Sequence, residues 1–229
     1  MRSSETTELG LSLGDRLLII VGAPVVATPL GFALPSIADW ADDRPWLPLP
    51  GPLAAIAELE GGWVALALGG AGLVLGLLGG LFLVHECLKV TLSDKDIRID
   101  KGDRSRRIPR ADVGTAFVDG KRLVILDPET RELIREEFEG KRSALAEGFR
   151  AHGYPWHPDG DPHADLYRRW VPDTPDIPSA ANALLKARES ALKRKRKDDI
   201  TELHAEIQKL GIVIRDEPPK QYWRPLVPH

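Results

Sequence analysis

Two stretches of the 229-residue chain contain no charged residue, Leu17 to Ala38 and Gly61 to Val84. At ~1.5 Å rise per residue each exceeds the roughly 30 Å hydrocarbon core of a bilayer, and a soluble core helix of that length normally shows a polar face. The first stretch is too long for the apolar region of a signal peptide and has no small-residue cleavage pattern after it. The pair therefore predicts a transmembrane hairpin over residues 15–85, preceded by a short tail, 1–14. Whole-chain composition obscures this, because the 28% of charged residues are concentrated after His85.

Lys and Arg near the spans set the expected orientation. The connection Asp39–Glu60 holds one basic residue, Arg44, against Asp39, Asp42, Asp43, Glu58 and Glu60. Lys89, Lys95, Arg98, Lys101 and Arg104 follow the second span. Both termini are thus expected in the cytoplasm of a multi-pass plasma-membrane protein. Trp40, Trp46 and Trp63 flank the spans, and the apolar, proline-broken segment Trp46–Leu53 is expected to lie in the outer interface. Neither span contains Asp, Glu, Lys, Arg or His. Such residues mark ion and proton pathways, so the pattern argues against a pump, transporter or channel.

Span one carries Pro24, Pro29 and Pro35, each of which frees a backbone carbonyl that Thr28, a neighbour or water must satisfy. Span two carries Gly72, Gly76 and Gly80 at every fourth position, a stripe that admits a close second backbone. That backbone is span one or another copy of the chain, the latter making a homo-oligomer. A single cysteine, Cys87, excludes an internal disulfide and suits a reducing compartment.

From Leu88 the period changes to two. Leu88–Leu92, Ile97–Ile99, Ala116–Val118, Leu123–Leu126 and Leu133–Phe138 read as strands, with Asp119-Gly120 as a hairpin turn. Ser143–Ala151 has helical spacing, and Gly153 sits where a helix-ending glycine belongs. This strand order, the Ile108–Val113 segment and the closing helix resemble the bacterial pleckstrin-homology-like (PH-like) domains over residues 86–156. The resemblance implies a split barrel used for binding or spacing, without an active site. Arg104, Arg106, Arg107 and Arg110 form a basic cluster that is either a lipid-headgroup contact or a solvated loop under the positive-inside bias.

Residues 157–177 form a linker rich in Pro, Asp and His. His157, Asp159, Asp161 and His163 alternate metal-ligand types, but Pro158, Gly160 and Pro162 oppose a shared geometry, so no metal is expected. Leu166, Tyr167, Trp170 and Val171 share one side of a helical turn, which predicts a docked linker.

In residues 178–229, Leu184, Leu185, Ala191 and Leu192 give one amphipathic helix, and Ile200, Leu203, Ile207 and Leu210 a second, followed by a short β element at Ile212–Ile214. Leu184-Leu185-Lys186-Ala187-Arg188, Leu210-Gly211-Ile212, Asp216 and Trp223 resemble the C-terminal anticodon-binding module of cysteinyl-tRNA synthetases. The family's second-helix acidic and Arg-Asp positions are Thr201, His204 and Ala205 here, and no HIGH or KMSKS-type signature occurs, which excludes aminoacylation. The run Lys193-Arg194-Lys195-Arg196-Lys197, with Lys186 and Arg188, is the candidate contact for RNA phosphates or anionic lipid, against an ordinary solvated helix end.

The fold class expected is therefore membrane-anchored α+β: a two-helix hairpin, a PH-like split β-barrel with closing helix, and a C-terminal helical hairpin with a short β element. No phosphate loop, nucleophile elbow or acid–base pair is present, so the reading is non-catalytic and without cofactors. It is a membrane scaffold or adaptor holding an unknown cytoplasmic protein partner, with a membrane-tethered RNA or tRNA binder as the alternative.

Overall fold

The computed structural model describes residues 6–42, 61–217 and 220–227. The chain divides into two compact units, one of Gly10–Lys89 with Asp100–Arg104, the other of Met1–Leu9, Val90–Ile99 and Ser105–His229.

The first unit is built on two long apolar helices, α1 (Leu13–Asp42) and α2 (Trp63–Glu86). Ser12 starts α1: its hydroxyl accepts from the Asp15 amide at 3.1 Å and donates to the Asp15 carboxylate at 2.7 Å. The helix continues through Pro24, Pro29 and Pro35. The Thr28 hydroxyl has no hydrogen-bond partner, so it is not the group that satisfies the freed carbonyls. The glycine stripe of α2 meets α1 of the same chain in antiparallel fashion. A Cβ on Gly72 would lie 2.4 Å from the Ala27 carbonyl oxygen, on Gly76 2.6 Å from Pro24 Cα, and on Gly80 3.0 Å from the Ile19 carbonyl oxygen. Only hydrogen at these positions allows the two backbones to approach so closely. The other faces stay bare, with Leu17, Leu18, Val25, Leu66, Leu75 and Phe82 all more than half exposed. The expected interfacial segment Trp46–Leu53 lies outside the described residues.

The second unit opens with a difference from the sequence reading. The N-terminal tail is in part a strand, β1 (Thr7–Leu9), which pairs antiparallel with β2 (Lys89–Leu92) on the far side of both helices in sequence. With β3 (Asp96–Lys101) and β4 (Arg104–Pro109) they form a sheet of order β1-β2-β3-β4. A second sheet holds β5 (Thr115–Asp119), β6 (Arg122–Leu126) and β7 (Glu132–Glu137), paired antiparallel in that order. The β5–β6 loop places Gly120 at positive φ, 61°, as a two-residue hairpin connection requires. Phe117, Val124 and Leu126 are fully buried between the elements.

Helix α3 (Arg142–Ala151) closes this part with Leu145 and Phe149 inward. It ends at Gly153, φ 66°, with the Tyr154 amide bonded back to the Phe149 carbonyl at 2.8 Å. The described fold is thus a mixed α+β chain with two apolar helices.

The C-terminal part pairs α4 (Ser179–Lys193) with α5 (Lys197–Lys209) over a sheet of order β8-β10-β9, made of β8 (Arg168–Arg169), β9 (Ile212–Glu217) and β10 (Lys220–Pro225). Trp170, Leu185, Ile207, Ile214 and Trp223 form its core. The linker is docked: a 3-10 turn at Ala164–Leu166 leads into the edge strand β8, so the four expected residues do not share one helical turn. Trp170 enters the core, where its indole N–H donates to Asn182 Oδ1 at 3.0 Å, while Leu166 and Val171 stay exposed. Strand pairing with β10 satisfies the linker backbone, which an isolated turn would leave to solvent.

Candidate functional site

The basic run is the turn between α4 and α5. The Arg196 amide bonds to the Ala191 carbonyl at 3.0 Å and the Lys195 amide to Leu192 at 3.1 Å, the paired bonds of a Schellman helix end. Lys195 occupies its left-handed position, φ 56°, where glycine is usual. All five side chains are exposed. Lys193 pairs with Glu189 at 3.1 Å within α4, and Arg196, the residue before α5, pairs with Asp199 in its first turn at 2.6 Å. Lys186 is also exposed and lines an open cleft of about 450 Å³ beside Ser179 and Asn182.

Arg188 is placed differently from the rest of the expected set. It is buried, 3% exposed, and its guanidinium donates to both Asp216 carboxylate oxygens, at 2.6 and 2.7 Å, and to Gln221 Oε1 at 2.8 Å. It ties α4 to β9 and β10 and presents no free face to a phosphate. The signal was available: Arg188 lies three residues from both Leu185 and Ala191, on the apolar side of α4.

The arginines of β4 and Arg110, which follows it, also separate. Arg104 is exposed. Arg106 donates to the Leu133 carbonyl, and Arg107 faces Asp96 at 3.4 Å. Arg110 closes the end of α3, donating to the carbonyls of His152 at 2.6 Å and Gly153 at 2.7 Å. Its guanidinium lies over the Tyr154 ring, and burial pushes that phenol up to about 12.

The His/Asp-rich linker satisfies its own turns. His157 Nδ1 is 2.9 Å from the Gly160 carbonyl oxygen, and Asp161 accepts from the His163 amide at 2.8 Å. Among the described residues no group of His, Cys, Asp and Glu is arranged to hold a metal ion.

The C-terminal part packs on the PH-like sheet through groups that sequence reasoning missed. Arg224 is fully buried and donates to the Thr130 hydroxyl at 3.0 Å and the Thr130 carbonyl at 3.1 Å. The Val227 amide donates to that same hydroxyl at 2.9 Å. Beside it, Glu132 lies 3.3 Å from His204 Nε2 on α5 and accepts from Arg135 Nε at 2.6 Å, while Arg135 Nη1 donates to Asp119 at 2.7 Å. Burial pushes the Glu132 carboxyl up, but the hydrogen bond from His204 and the Arg135 charge outweigh it and hold the group below the ordinary carboxylate range. Burial lowers Arg135, and Glu132 and Asp119 more than reverse this. His204 Nε2 thus faces Glu132 of β7 and, at 2.8 Å, the Gln208 side-chain nitrogen on its own helix.

Comparison with known proteins assigns the chain. The model of the YqeB-like bacterial PH domain matches residues 7–157. A relative in Bacillus subtilis (strain 168), "Uncharacterized protein YqeB", is 37% identical over 228 residues, covering 98% of this chain and 93% of its own length. The chain belongs to the YqeB-like bacterial PH-domain family. The YqeB-like match begins at β1 and runs through both apolar helices, so the helices fall inside the family region and not before it. The model of the cysteinyl-tRNA ligase anticodon binding domain matches residues 174–224, which are α4, α5, β9 and most of β10. No solved structure matches this YqeB-like chain.

Proposed function

We propose that this protein is a non-catalytic membrane scaffold: α1 and α2 cross the plasma membrane as an anchor, and the PH-like sheets with the C-terminal helical part form one cytoplasmic binding unit for a protein partner. One observation carries the reading. Only 6% of the apolar window of α1 and 17% of that of α2 is buried, although both helices are long enough to span. Core helices of a soluble protein would be covered, and an apolar surface of this extent in water carries a large hydrophobic penalty. Chain order supports placement of both ends on one side, because β1 before α1 and β2 after α2 are ladder partners, and the Lys and Arg that follow α2 favour the cytoplasm as that side.

Alkaline extraction of membranes tests the anchor, with the protein expected to stay in the pellet. In a Cys87→Ser background, Gly62→Cys is expected to react with an impermeant maleimide on intact cells. Ser190→Cys is expected to react only after permeabilisation. Release by alkali, or the opposite labelling pattern, would overturn the reading.

The exposed turn Lys193–Lys197 favours a second reading, in which the unit binds RNA. Against it stand the burial of Arg188 and the engagement of His204 by Glu132. Filter binding of the full-length protein in detergent to total tRNA at two salt concentrations separates the two. Binding that weakens steeply with salt supports RNA, and no binding at low salt leaves the scaffold.

A further inference from the structure

The side chains of Thr7, His152 and Asp94 form a continuous relay. Thr7 Oγ1 is 2.9 Å from His152 Nε2, and His152 Nδ1 is 2.8 Å from Asp94 Oδ1. The three belong to β1, to the end of α3 and to the β2–β3 turn. We propose that β1 is a releasable strap, and that this relay is the latch that seats it.

A three-residue edge strand is too short to hold its place by ladder bonds alone. Its pairing with β2 covers only Thr7–Leu92, Glu8–Thr91 and Leu9–Val90. Two further contacts seat it. Leu9 is buried over a notch at Gly148 of α3, where a Cβ would lie 2.8 Å from Leu9 Cδ1 and 3.0 Å from Leu92 Cδ1. The second contact is the Thr7 hydroxyl on the imidazole. In the proposed relay Nδ1–H donates to the Asp94 carboxylate, which leaves Nε2 to accept from that hydroxyl. His152 is held in turn: it is 8% exposed, and its carbonyl accepts from Arg110. Asp94 is 74% exposed, so the anchor of the latch stands in solvent while its imidazole is covered. Asp94 is therefore a positioning residue that acts on β1 through His152. Only Gly10, Leu11 and Ser12 separate β1 from α1, so strap position and the start of that helix are joined by a short segment.

Amide hydrogen exchange on the full-length protein in detergent micelles tests the latch, and the result does not depend on whether the helices cross a bilayer. Thr7→Val is expected to speed exchange at residues 7–9 and 90–92 by about 5- to 10-fold, the loss of one hydrogen bond. Exchange in α4, α5, β9 and β10 is expected to stay unchanged. Thr7→Ser, which keeps the hydroxyl, is expected to restore protection. Asp94→Ala is expected to act in the same direction, with Thr7→Val/Asp94→Ala no faster than either alone, because both remove one relay. Unchanged exchange at β1 in Thr7→Val, additive effects, or a uniform rise through the whole unit would overturn the proposal.

Discussion

Arg188 grips Asp216 with two hydrogen bonds, from Nη1 to Oδ1 at 2.6 Å and from Nη2 to Oδ2 at 2.7 Å, and the pair fastens α4 to β9. An arginine chosen from sequence as a phosphate contact is in fact an internal tie. Bidentate geometry is what guanidinium supplies and ammonium does not.

Removing one member of this pair leaves the other charge without its partner. Arg188→Ala is expected to cost about 3 kcal/mol or more in thermal unfolding of the full-length protein. Arg188→Lys should recover only part of this. Arg188→Met/Asp216→Leu, which removes both charges, should be less damaging than Arg188→Ala. If Arg188→Ala left stability unchanged while abolishing binding of a nucleic acid, the tie would be the wrong description.

Glu132 gives the junction of the PH-like and C-terminal parts a pH dependence. Its folded value is depressed below the ordinary 4.5. A depressed carboxylate stabilises the fold fully above the unfolded value, and that stability is lost as pH falls through the lower folded value. Glu132→Gln should therefore lower the unfolding midpoint at neutral pH, by about 3 kcal/mol of lost stability with Arg135 left partly unpaired. The gap to wild type should narrow only below pH 4.5, as the wild-type carboxylate protonates. A gap that stayed constant to pH 3 would show that charge on Glu132 does not matter.

Much of this architecture was legible. Uncharged runs located α1 and α2 to within a few residues, because a bilayer-length apolar helix has few alternatives. Alternation located β5 and β6, and Asp119-Gly120 marked their turn. The misses have local causes. β1 pairs with a strand beyond both apolar helices, and three residues carry no readable period. In β4 only Ile108 is buried, so alternation is absent and the arginines dominate. Arg224 was hidden because residue type argues for the surface, and only a buried partner can reverse that, whereas Arg188 could be read from its spacing to Leu185 and Ala191 on the apolar side of α4. The exposed turn Lys193–Lys197 was visible as charge, but its geometry was not, since a left-handed lysine has no sequence signature.

The glycines of α2 divide into two sets with opposite expected effects. Gly76→Ala places a Cβ 2.6 Å from Pro24 Cα, against backbone that cannot swing aside, so the helix pair must part. Its resistance to unfolding in SDS should fall. At Gly79 a Cβ meets nothing within 4 Å. There alanine should be neutral or stabilising by up to about 0.8 kcal/mol, from helix propensity alone. Equal loss at both positions would indicate that Gly79 faces another helix, as it would in an oligomer.

Lys195 separates the structural from the functional role of the basic turn. Its φ of 56° places a side chain in a backbone region that costs a non-glycine residue about 1 kcal/mol. Lys195→Gly should return that energy and raise the thermal midpoint by about 2–4 °C for a chain of this size. Lys195→Ala carries the same charge loss and keeps the strain, so it should leave the midpoint unchanged. If both variants behaved alike, relief of charge repulsion among the five basic residues, and not backbone conformation, would govern the turn. A midpoint raised only by glycine, with partner binding reduced by both variants, would show that the turn tolerates strain in order to keep a cation there.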